Sequence, residues 1–80
     1  MPERQQGLSA RQTVAANVRT YREKLGISQE RLAELSGFHR TYVSQVERAL
    51  SNITVDNLEA LATQLKVQPY VLLRPARESE

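Results

Sequence analysis

The stretch from Gln29 to Arg48, QERLAELSGFHRTYVSQVER, decides how this chain is read. It divides into two short helical segments about a three-residue turn, Gly37-Phe38-His39. Leu32, Phe38, Val43 and Val46 supply apolar contacts for the pair, and Ala33 is small where one helix must cross the other closely. Gly37 relieves the turn of a side chain. The second segment keeps Arg40, Thr41, Ser44 and Gln45 polar on one connected face, which a helix buried in a core would not need. Two helices held at a fixed angle, the second projecting polar groups outward, are the geometry that enters the major groove of DNA. Arginine can donate twice to guanine, glutamine can pair bidentately with adenine, and threonine offers a methyl to thymine as well as a hydroxyl. Gln29 sits at the first helix's N-terminus, where backbone N–H groups suit a phosphate.

Working outward, Val14, Val18, Tyr21 and Leu25 recur at spacings of four, three and four, which predicts a helix over about residues 10–25 and a core role for these positions. Ser9 with Gln12 fits a capping box, and Gly26 can end the helix in a left-handed conformation. Ser28 caps the second helix, residues 29–36, and the third runs from about 40 to 48. A polar loop, 49–53, leads to Thr54 as cap of a fourth helix that places Leu58, Leu61, Ala62 and Leu65 on one stripe. Pro69 opens a short fifth helix ending near Leu73, before Pro75. Four of the five starts pair an apolar residue before the cap with one at the fourth helical position: Ile27/Leu32, Phe38/Val43, Ile53/Leu58 and Val67/Leu72. Each can form a hydrophobic staple. No segment alternates with period two, so the fold class is all-α, a small domain over residues 9–74 with polar tails at 1–8 and 75–80.

Eighty residues permit one domain with a small core, which dimerisation would help. The chain has no Cys and one His, so a thiolate metal site, a disulfide framework or an ordinary Ser/His/Asp triad has no residues to form from. Nothing gathers an acid, a base and a nucleophile; neither catalysis nor a cofactor is expected. No apolar run reaches the ~20 residues of a membrane span, and residues 1–10 lack the apolar centre of a signal peptide, so a cytoplasmic protein is expected. The net charge is only +2, yet residues 1–50 hold eight Lys/Arg against five Asp/Glu, whereas residues 51–80 hold three against four. The half carrying the two-helix unit, the candidate DNA-facing half, is the positive one, which permits a nucleic-acid partner. The Arg19, Arg22, Glu23, Lys24 run is read as the solvated face of the first helix.

Two longer motifs, RTYREKLGISQERLAELSGF and RTYVSQVERALSNITVDNLEALATQLKV, resemble the XRE type of helix-turn-helix domain, the five-helix fold of lambda-like repressors, over roughly residues 11–73. The segment HRTYVSQVERALSNIT more narrowly resembles the controller proteins of restriction-modification systems. This resemblance implies a small homodimer that binds a palindromic operator and regulates transcription, with RNA polymerase as a further contact. By position it implies that Arg40 meets a base, Thr41 a base or adjacent phosphate, Tyr42 the DNA backbone or a deformable central step, and Ser44 and Gln45 base edges. Gln29, Arg48 and Asn52 match phosphate-contacting positions. His39 stands where Ser, Thr or Asp usually caps the third helix, and a protonated imidazole there would add positive charge near DNA. Ala49 replaces the Gly or Asn of many members, so the third helix is expected to extend or turn differently at its end. Ser51 replaces a basic residue of close controllers, which removes one DNA contact.

Tyr70, Val71 and Leu73, together with Leu61 and Leu65 of the fourth helix, are the candidate two-fold interface, because so small a chain has little capacity to bury a fifth helix. Such a dimer would hold its recognition helices about 34 Å apart and read an inverted repeat. A phage-type repressor or an antitoxin regulating its own operon shares these features. A protein-interaction module without DNA binding is the alternative of a different class, and it would have no use for the polar face of the third helix.

Overall fold

Ser9 Oγ accepts the Gln12 N–H at 3.1 Å while the Gln12 side-chain oxygen accepts the Ser9 N–H at 3.0 Å, so the first helix opens on a complete capping box. In the computed structural model, which describes residues 8–75, that helix is α1 (Ala10–Lys24). It is followed by α2 (Gln29–Ser36), α3 (Arg40–Glu47) and α4 (Val55–Leu65). Ser28 and Thr54 cap α2 and α4 through their side-chain oxygens, at 2.9 Å from the Arg31 N–H and 3.0 Å from the Asn57 N–H. Apart from Leu8 and Pro75, the expected tails lie outside the described residues.

Both members of each of the four staple pairs join one core. Leu32, Val43, Leu58 and Leu72 are buried, and Ile27, Phe38, Ile53 and Val67 pack half-buried against the same core. Val14, Val18, Val46, Leu61, Ala62 and Leu65 complete it. None of these helices exceeds 15 residues, so each depends on this shared core more than on its own backbone bonds. Leu25 departs from expectation at 37% exposed. Helix α1 ends one residue earlier, and Leu25 is its C-cap, from which the chain turns away through Gly26.

The fifth helix is not α-helical. Pro69–Leu73 forms a short 3-10 helix, with the Val71 N–H bonded to the Gln68 carbonyl at 2.9 Å. Gln68 provides no side-chain cap, five residues are too few for a stable α-helix, and Asn17 of α1 captures the carbonyls instead. The Asn17 Nδ2 donates to Leu72 O at 2.9 Å, to Arg74 O at 2.7 Å and, longer, to Val71 O at 3.3 Å. A buried amide thus ties the C-terminal turn to the first helix. No described helix is long and apolar enough to cross a membrane.

Candidate nucleic-acid interface

Gly37 is the C-cap of α2 in the left-handed conformation, φ 79°, which lets the chain reverse within three residues. The His39 imidazole then starts α3: its Nδ1 accepts the Thr41 N–H at 3.1 Å, taking over the cap that Ser, Thr or Asp commonly provides. Along α3 the residues sort by periodicity. Arg40, Thr41 and Gln45 are exposed, Ser44 is half-buried beside them, and Arg48 continues the stripe as the exposed C-cap. Val43, Val46 and Glu47 face inward. Among the described residues, neither Arg40 nor Arg48 forms an ion pair, so both guanidinium groups remain available to an anionic partner.

The inward-facing Glu47 orients this helix. Its side chain is 0% exposed, and its carboxylate receives a two-point bond from Arg22 of α1, Nε to Oε2 at 2.6 Å and Nη2 to Oε1 at 3.0 Å. Gln29 of α2 adds its Nε2 to Oε1 at 2.9 Å, and the half-exposed Arg19 approaches at 3.5 Å. Arg22 also donates from Nη1 to the Ile27 carbonyl at 2.8 Å, so one guanidinium joins α1, the loop after it and α3. Burial pushes the Glu47 carboxyl up, but the hydrogen bonds from Arg22 and Gln29 and the charge of Arg22 outweigh it and hold the group below the ordinary carboxylate range. The hydrogen bond to Glu47 raises Arg22 above its ordinary value against the opposing effect of burial.

This cluster corrects one reading and refines another. Arg22 does not lie on a solvated face; its side chain is only 13% exposed because it meets Glu47. Gln29 stands where α2 begins, but its side-chain amide donates to Glu47 inside the fold. The cluster was absent from the sequence reading, although its signal was there: Glu47 follows Val43 and Val46 at i+4 and i+1, on the apolar stripe of α3.

Tyr42 is half-buried, its ring 4.9 Å from that of Phe38 and its hydroxyl oxygen bonded by Asn57 Nδ2 at 3.0 Å. Asn52 is exposed on the loop after α3 and lines an apolar cleft of about 320 Å³ with Ile53, Leu58 and Leu73. That loop begins at Ala49 with φ 61°, so α3 stops where a glycine would stop it and the chain accepts a strained alanine rather than an extended helix. In the C-terminal turn Tyr70 and Leu73 are 64% and 50% exposed, and Val71 is half-buried. Leu61 and Leu65 do not share that surface: both are fully buried because the stripe of α4 is covered by the chain's own α1, α2 and C-terminal turn.

Comparison with known proteins agrees with this geometry. The helix-turn-helix family HTH_3 matches residues 18–72. Control protein C.SmaI of Serratia marcescens is 42% identical over 74 residues, spanning 91% of this chain and 88% of that protein. The crystal structure of the hypothetical transcription factor NHTF from Neisseria superposes with a TM-score of 0.85 at 43% identity, over 99% of this chain and 87% of that one. The restriction-modification controller protein C.AhdI from Aeromonas hydrophila gives 0.74 at 40% identity, over 78% of this chain and 90% of its own. From the turn at Gly37, the polar stripe of α3 and these likenesses together, the chain belongs to the HTH_3, XRE-type, helix-turn-helix family.

Proposed function

We propose that this protein is a sequence-specific DNA-binding regulator of transcription of the restriction-modification controller kind, acting as a homodimer on an inverted-repeat operator. The observation that carries this reading is the polar stripe of exposed Arg40, Thr41, Gln45 and Arg48 with half-buried Ser44 beside them, backed by the buried carboxylate that anchors α3 to α1 and α2. Arg40, Thr41, Ser44 and Gln45 read base edges. Arg48, Asn52, His39, Tyr42 and the N-terminus of α2 at Gln29 meet the backbone and set the register. The exposed Tyr70 and Leu73, with Val71, form the two-fold contact, and RNA polymerase is a further partner once the dimer is on DNA. The protein works in the cytoplasm, and it needs no cofactor for this role. The likeness to C.SmaI and C.AhdI favours a controller over a phage-type repressor or an antitoxin.

Selection from a pool of random duplexes followed by sequencing tests the reading. An enriched inverted repeat with half-sites one helical turn apart is expected. No enrichment refutes sequence-specific regulation. Affinity should also fall steeply as salt rises, because phosphate contacts release counterions. An affinity indifferent to salt would favour a protein-interaction module.

A further inference from the structure

Tyr42 is the third residue of α3, and two neighbours restrain it. Phe38 packs its ring from the turn, with centroids 4.9 Å apart and planes tilted by 55°. Asn57, in the first turn of α4, donates its Nδ2–H to the phenolic oxygen at 3.0 Å. Asn57 is itself held at its base, since its backbone N–H donates to the Thr54 cap at 3.0 Å. Helices α3 and α4 are otherwise linked chiefly through α1 and α2, so this bond is a direct polar tie between the recognition helix and α4.

A phenol carries one O–H and keeps its acceptor positions near the ring plane. An N–H donor that occupies one of those positions turns the O–H away from itself. With the ring held by Phe38 and the oxygen by Asn57, the direction of the remaining hydrogen is set before any ligand arrives. Tyr42 sits between the exposed stripe and the core, at the flank of the reading face, where a docked helix passes the sugar-phosphate backbone and not the base edges.

We propose that Asn57 is a positioning residue for DNA binding: by donating to the Tyr42 hydroxyl oxygen, it presents the Tyr42 O–H as a ready-aimed donor to a DNA phosphate. The inference rests on the reading that α3 docks on DNA. Asn57 does not touch the nucleic acid in this scheme; it acts through Tyr42 alone. The reorganisation that a free phenol would undergo on binding is removed in advance.

The test is a double-mutant cycle on the full chain with a mixed-sequence duplex two helical turns long, at low salt, where phosphate contacts dominate. Asn57→Ala and Tyr42→Phe should each weaken binding about 3- to 10-fold, the worth of one hydrogen bond. The double variant should bind no more weakly than Tyr42→Phe, because without the hydroxyl Asn57 has nothing to aim. Melting temperatures taken in parallel separate this from loss of fold, and Asn57→Leu, of similar shape and without a donor, serves if Asn57→Ala unfolds. Losses that multiply, or an Asn57 variant that is folded and binds like the wild type, overturn the proposal while wild-type binding leaves the DNA reading intact. Wild-type protein that fails to bind the duplex at low salt overturns both.

Discussion

Replacing Glu47 by alanine should destabilise this domain more than any other single change on the recognition helix. The carboxylate is fully enclosed and holds Arg22 at 2.6 and 3.0 Å and Gln29 at 2.9 Å. Its removal leaves a guanidinium that is only 13% exposed with the Ile27 carbonyl as its remaining strong partner. Breaking a buried pair from one side costs about 3–5 kcal/mol, chiefly because the other charge stays behind unpaired. Arg19, half in water at 3.5 Å, adds little. For a domain of this size roughly 4–8 °C of melting temperature is lost per kcal/mol, so a fall of about 12–40 °C is expected. Thermal unfolding followed by circular dichroism measures this fall, and urea unfolding measures the loss of free energy. The companion variant Arg22→Met/Glu47→Leu should recover most of the loss, since neither charge is then buried. A loss below about 1 kcal/mol for Glu47→Ala, or a double variant as unstable as the sum of the singles, would refute the claim that this pair is a buried, mutually dependent unit.

The same carboxylate sets an acid limit. Its folded value lies below the unfolded one, so the unfolded chain binds more protons; the contribution is complete above the ordinary carboxylate range and is lost as pH falls through the lower folded value. Glu47→Gln should flatten stability against pH on that acid limb, as equilibrium unfolding at a series of pH values would register. Arg40→Ala should lower affinity for an enriched duplex by about 1–3 kcal/mol and for random DNA far less; equal losses on both would exclude base reading by Arg40. Ala49→Gly should stabilise by roughly 0.5–1 kcal/mol by relieving the left-handed alanine at φ 61°, and Ala49→Val should destabilise, both readable from denaturant midpoints. Asn17→Leu should cost about 1–3 kcal/mol by stranding the Leu72 and Arg74 carbonyls. If Tyr70 and Leu73 form the two-fold contact, sedimentation should also show a weaker dimer for that variant, and an unchanged dimer would detach Asn17 from the interface.

Helix positions and the turn were legible in the chain because the forces that set them are local. A cap bond spans three residues, as from Ser9 to Gln12, and an apolar stripe repeats within a few turns. Ser28, Gly37, Thr54 and the four staple pairs therefore announce α2, α3 and α4, and with them the outward face of Arg40, Thr41, Ser44 and Gln45. The C-terminal turn was harder, because its geometry is imposed by Asn17, 54 to 57 residues away.

Long-range contact also settled the use of each side chain. Arg22 and Glu47, 25 residues apart, look like surface charges until α1 and α3 are packed together and exclude water from both. Leu61 and Leu65 lie on a stripe that could face a second subunit or the chain's own core, and the choice depends on where α1 and α2 sit. Ala49 shows that a turn can be kept without the residue that favours it when the elements on either side are fixed. Local periodicity and capping specified which segments are helical and which face of α3 is polar; the partners of Glu47, Asn17, Leu61 and Tyr42 followed from packing, since burial and charge pairing are properties of residues brought together from distant parts of the chain.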